Sequence, residues 1–89
     1  MKQRYLEVTF RKGKPLAAYL YLHRNTGDKS VRTEKREAGL IVDYASDGRA
    51  IGIEITAPSM VALASLNRVM ESLNESPLTQ DDVQPLTAA

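Results

Sequence analysis

Hydrophobic and polar residues alternate in short runs over the first 55 positions of this chain, and then the period changes. The run Tyr5–Phe10, YLEVTF, puts Leu6, Val8 and Phe10 on one side and Tyr5, Glu7 and Thr9 on the other, the period of two that a strand requires. Arg11–Pro15, RKGKP, reads as a turn in which Gly13 takes positive φ and Pro15 stops pairing. A second strand from Leu16 to about Leu22 places Leu16, Ala18, Leu20 and Leu22 on one face, and Ala17, Tyr19 and Tyr21 on the other. The two strands predict a hairpin with Leu6, Val8, Phe10, Leu20 and Leu22 in the core. His23–Ser30, HRNTGDKS, is a polar loop. Val31–Glu37, VRTEKRE, is charged and weakly alternating. It predicts a short edge strand beside Leu40–Tyr44, its charges discouraging edge-to-edge association, with a register left open by one residue.

The strongest pattern is Gly39–Ile55, GLIVDYASDGRAIGIEI. Asp47-Gly48 signals a hairpin, because a type I′ turn needs positive φ at both central residues. With that turn, or with a four-residue loop Ser46–Arg49, Tyr44 lies opposite Ile51, Val42 opposite Ile53 and Leu40 opposite Ile55. These six share an apolar face. The other face pairs Ala45 with Ala50, Asp43 with Gly52 and Ile41 with Glu54. A slip of one residue would split the apolar set.

After Thr56-Ala57-Pro58 the period becomes 3.6. Ser59 to about Asn74 predicts a helix with Ala62, Leu63, Leu66, Val69, Met70 and Leu73 on one side. Its apolar arc is wider than one sheet face need cover, and Ala57 offers no capping oxygen. Thr79 and Asp82 suit a further single helical turn, which Pro85 would end. Together the elements predict an α+β domain: an antiparallel β-meander of four to five strands in order of sequence, with one C-terminal helix packed on its apolar face as a second layer. Residues 1–75 are expected to form this domain, and residues 76–89 a flexible or partner-ordered tail.

Composition narrows the classes. A chain of 89 residues is one domain with one thin core. There is no cysteine, hence no disulfide framework and no thiolate chemistry, which suits a cytoplasmic location. The start MKQRYLEVTF carries no apolar stretch of a signal peptide. No apolar run approaches the ~20 residues that span a bilayer, so no membrane association is expected. The net charge of +1 conceals a division: residues 1–36 hold ten basic residues against three acidic ones, and residues 37–89 hold two against eight. Packing of the two halves would balance it; a basic patch or charge-complementary association are the sharper readings.

Catalytic chemistry finds little support. His23 is the sole histidine, with no second metal donor at a useful spacing. The glycines form no phosphate loop, and no Ser/His/Asp set can be assembled. Asp43 and Glu54 are expected as solvated surface charges. The sequence thus predicts no enzyme and no cofactor. Two surfaces remain. Tyr5, Tyr19 and Tyr21 share one face of the first hairpin and form a candidate partner-binding surface, tyrosine being enriched at interfaces. Arg11, Lys12, Lys14, Arg32, Lys35 and Arg36 are the alternative, a nucleic-acid surface.

The run GLIVDYASDGRAIGIEIT, preceded by VRTEKRE and AAYLYL, resembles a family of small bacterial domains known as domain of unknown function 2283. The family shows a tyrosine-bearing strand, a short acidic strand, a valine-rich strand, a DG turn and a GIEI strand. The resemblance runs from Tyr5 to Pro58. It departs before Tyr19, where family members carry an acidic residue and this chain has Leu16, Ala17 and Ala18. It implies a small α+β domain with no established activity. Relatives encoded beside small toxin-like proteins suggest an antitoxin role. The leading expectation is a non-enzymatic protein-interaction module, as a homodimer or with a toxin-like protein partner. The alternatives are a nucleic-acid-binding accessory protein and a small-molecule binder with its site at an oligomer interface.

Overall fold

In a computed structural model, which describes residues 4–37 and 39–86, charge decides where each strand can sit. The strands are β1 (Tyr5–Arg11), β2 (Lys14–Tyr21), β3 (Arg32–Lys35), β4 (Leu40–Tyr44) and β5 (Ala50–Ile55), followed by helix α1 (Leu63–Ser72) and a short helix α2 (Gln80–Val83). They form one antiparallel sheet in the order β1-β2-β5-β4-β3. The α+β class and the five-stranded antiparallel sheet are as the pattern predicts; the meander order is not. In a meander β3 would be central, yet its sequence RTEK carries charge on both faces. A central strand has neighbours along both edges and packs one face on the core, so the charged strand goes to the edge and the apolar β5 takes the middle. The edge position and the pairing with β4 are as predicted, and the register is now fixed: Arg32 opposite Tyr44 and Lys35 opposite Ile41.

The β4–β5 hairpin keeps its predicted pairs Leu40–Ile55, Ile41–Glu54, Val42–Ile53 and Asp43–Gly52. Nearer the turn it differs. The loop has three residues, Ser46–Gly48, closed by Gly48 N–H donating to the Ala45 carbonyl at 3.0 Å and Ala45 N–H donating to Arg49 at 2.8 Å. Asp47 does not take positive φ; Gly48 does, at 90°. The Asp47 carboxylate instead accepts from the Arg49 N–H at 3.1 Å. An odd loop would slip the register and turn the apolar face outward. A bulge absorbs the slip: Tyr44 pairs with Ala50, and Ile51 is left over. The type I′ turn occurs at Lys12-Gly13, where both residues have positive φ (53° and 77°). A second bulge at Thr9/Phe10 pairs Phe10 with Pro15. Phe10, expected in the core, is 48% exposed, and Pro15 lies within β2 rather than ending it.

Antiparallel partners share a face, so Leu20, Ile53 and Val42 align across three strands, as do Ala18, Ile55 and Leu40. These residues form one hydrophobic cluster with Leu66, Val69 and Met70 of α1. The helix begins four residues later than the pattern implied. Pro58–Met60 forms a single 3-10 turn, Val61 is extended, and Ala62 precedes α1 without a side-chain cap. The end is well closed. Asn74 takes positive φ, its N–H donates to Glu71, and Glu75 N–H donates to Met70, the paired bonds of a Schellman motif.

The segment expected as a flexible or partner-ordered tail contributes to the core over its described part; residues 87–89 lie outside it. Leu78, Val83 and Leu86 are buried in the same cluster. Thr79 and Asp82 make the anticipated capping box. Asn67 clamps the segment to α1: its amide donates to the Leu78 carbonyl at 3.0 Å and accepts from Leu78 N–H at 2.7 Å. Val83 and Leu86 face Val61, Leu63 and Leu66 across a narrow cleft. The excess width of the helix's apolar arc is therefore covered by the chain itself.

Candidate interaction face

Strand alternation sends one set of residues away from the hydrophobic cluster. On this outer face Tyr5 lies directly opposite Tyr21, Glu7 opposite Tyr19, and Thr9 opposite Ala17. On the far side of β2, Tyr19 lies opposite Glu54 and Tyr21 opposite Gly52. The three tyrosines singled out from the sequence are brought together. The Tyr5 and Tyr21 rings stack at 4.5 Å with 14° between planes, and Tyr19 meets Tyr21 edge-on at 4.7 Å. Arg24 places its guanidinium 5.6 Å from the Tyr21 ring centre, at cation–π distance. Tyr5 is exposed, and Tyr19 and Tyr21 are half-buried.

Beneath them is a polar contact that the sequence did not reveal. The Tyr19 ring crosses Gly52, and its hydroxyl donates to Asp43 Oδ2 at 2.6 Å. Asp43 is buried, at 6% exposure, which corrects the expectation of a solvated charge. Burial and the bond to Asp43 hold the Tyr19 hydroxyl well above the usual phenol range. Glu54 is half-buried. Burial first, and then the Asp43 carboxylate next to it, push the Glu54 carboxyl up. Burial and the nearby Glu7 likewise raise the Tyr21 hydroxyl; that hydroxyl donates to Glu7 Oε1 at 3.5 Å. A hollow of about 180 Å³ opens beside Tyr19, lined by Glu7, Thr9, Ala17, Glu54 and Thr56.

The basic residues proposed as a nucleic-acid surface are not brought together. Arg11, Lys12 and Lys14 lie at the β1–β2 turn, while Arg32 and Lys35 lie on β3 at the opposite edge of the sheet. Four strand spacings of about 4.8 Å separate the two edges. Arg32 sits 4.0 Å over the Tyr44 ring. Arg36 donates to Glu34 at 2.6 Å and to the Ser72 hydroxyl of α1. Both are engaged in closing the β3 edge. The charge division is only partly settled by internal pairing. Arg4 meets Glu75 across the halves at 3.4 Å and Arg49 meets Asp28 across them with the signs reversed, while Arg68–Glu37 and Arg36–Glu34 each pair residues within one half.

His23 is exposed in the β2–β3 loop, and among the described residues no group of His, Cys, Asp or Glu could hold a metal ion. No helix among them is long and apolar enough to cross a membrane.

An open five-stranded antiparallel sheet with a helical segment and a tyrosine–carboxylate outer face defines a small α+β domain. Residues 17–58 match the family described as "Protein of unknown function (DUF2283)", and over that segment the family resemblance is shown. The match takes in β2 through β5, including Tyr19, Asp43, Gly52 and Glu54. No curated protein and no solved structure matches the chain.

Proposed function

We propose that this domain is a non-enzymatic protein-interaction module whose partner docks on the outer face of the sheet. The observation that carries the reading is the aromatic cluster: Tyr21 in ring contact with both Tyr5 and Tyr19 on the sheet face turned away from the hydrophobic cluster. Stacked tyrosines give a rigid contact surface at small entropic cost, with hydroxyls that tolerate water when unbound. Neutralisation of a small toxin-like protein is the form of this function that the family resemblance implies. Self-association would use the same face, since the helix arc that suggested a homodimer is covered by the chain's own C-terminal segment.

Native mass spectrometry of the protein, purified gently from its own host, tests the reading. A stoichiometric second protein, lost on Tyr5→Ser/Tyr21→Ser with the circular-dichroism spectrum unchanged, is the expected result. Tyr19 is left intact because it anchors Asp43. A partner that binds the double variant equally well would remove the tyrosine face from the account, and finding no partner would remove the module itself.

A further inference from the structure

The outer face carries carboxylates that no described Lys or Arg pairs with directly; the cation Arg24 stands instead against the Tyr21 ring. Among the described residues, Glu7, Asp43 and Glu54 form no ion pair with any Lys or Arg. Their polar contacts are with tyrosine hydroxyls and with one another. Asp43 and Glu54 lie on the adjacent strands β4 and β5 and repel, while Glu7 stands on β1 across β2 from Glu54; a cation beside Glu54 relieves the repulsion and can reach Glu7 as well. The hollow beside Tyr19 has the form such a cation needs. Ala17 is its small floor, because Ala17 pairs with Thr9 on one side and follows the Ala18–Ile55 register on the other. Glu7 and Glu54 stand on either side, Thr9 and Thr56 complete the rim, and Tyr19 lines one wall. Its volume of about 180 Å³ is several times the ~30 Å³ share of one water. That is room for an ammonium or guanidinium group with part of its stem. The tyrosine cluster continues from this hollow along the strand, giving aromatic area beyond what a small free cation would contact.

We propose that this hollow receives a Lys or Arg side chain presented by a basic segment of the partner protein. Glu7 and Glu54 bind the cationic head and the tyrosines pack on the residues beside it. The inference rests on the interaction-module reading and names the chemistry of the partner. Charge complementarity selects a basic surface and raises the association rate at low salt.

The test is an NMR titration of the full ¹⁵N-labelled chain with a hepta-arginine peptide at low salt. Saturable shifts centred on Ala17, Tyr19 and Glu54 are expected. Ala17→Leu, which fills the hollow without changing charge, and Glu54→Gln should each weaken binding at least tenfold. Glu71→Gln, on α1, should leave it unchanged. Equal binding by Ala17→Leu, or equal weakening by Glu71→Gln, would reduce the effect to diffuse electrostatics and overturn the proposal. So would binding of free arginine methyl ester as tight as the peptide, which would indicate a small-molecule site. Concentration-dependent shifts of the same residues without peptide would make a second copy of the chain the occupant, again against the proposal. If the peptide fails while the tyrosine-dependent partner of native mass spectrometry persists, the charge assignment falls and the module stands; if that partner is absent, the module falls.

Discussion

Gly52→Ala isolates the contact that organises the outer face. Gly52 has no positive φ, so the backbone accepts a side chain. The obstacle is steric: a Cβ built there falls within the Tyr19 side chain. The ring must lift, and the Tyr19–Asp43 bond of 2.6 Å goes with it. Losing a hydrogen bond to a buried carboxylate costs about 1.5–3 kcal/mol, and the overpacking costs about 1–3 kcal/mol more. Alanine returns about 0.5–1 kcal/mol over glycine in a strand interior. The net destabilisation is therefore about 1.5–5.5 kcal/mol when these ranges are combined. At about 4–8 °C per kcal/mol for a domain of this size, Tm should fall by at least ~6 °C. The decisive arm is the Tyr19→Ala background, where the obstacle is gone. There Gly52→Ala should stabilise by about 0.5–1 kcal/mol, a reversal of sign. In a Tyr19→Phe background the ring remains and the bond does not, so the overpacking cost less the gain from alanine, about 0–2.5 kcal/mol, should survive. Urea unfolding of the wild type, three single variants and two double variants measures all of these. Additivity, with Gly52→Ala costing the same in every background, would refute the placement of Tyr19 over Gly52.

Further outcomes follow from other contacts. Leu86→Ala, at a position 2% exposed, should cost about 2–5 kcal/mol in chemical unfolding; a change near zero would return the C-terminal segment to the status of a tail. Glu54→Gln should stabilise near pH 7–8. The raised carboxyl of Glu54 means that the folded state binds this proton more tightly, so Glu54 disfavours folding once ionised and ceases to do so when protonated in both states. The gain should fade as pH drops through the carboxylate range, and a gain independent of pH would contradict the crowding with Asp43. Lys12→Gly should raise stability by up to about 1 kcal/mol, because Lys12 holds φ at 53° in a conformation costly for a residue with a Cβ; a loss in thermal unfolding would argue against the type I′ turn.

The faces of the strands were legible in the sequence, and the neighbours of the strands were not. Alternation is local, so YLEVT, AAYLYL and GLIVDY fix which residues share a side, the bulge at Thr9/Phe10 breaking the pattern only at Phe10, and the tyrosine face follows from that alone. The apolar set Leu40, Val42, Ile53 and Ile55 was readable for the same reason, and the demand to keep it on one face is strong enough that a bulge corrects the odd loop. The capping box at Thr79 was legible as spacing. By contrast, the Tyr19–Asp43 bond joins residues 24 apart and exists only because β5 sits between β2 and β4. That order is set by competition among all five strands for the buried centre, which the charges of β3 lose. The burial of Leu78, Val83 and Leu86 is likewise decided by the uncovered side of α1, a vacancy that appears only when helix and sheet have met. What sequence determined is period and face; what tertiary structure decided is adjacency, because each strand's place depends on what every other strand can afford to expose.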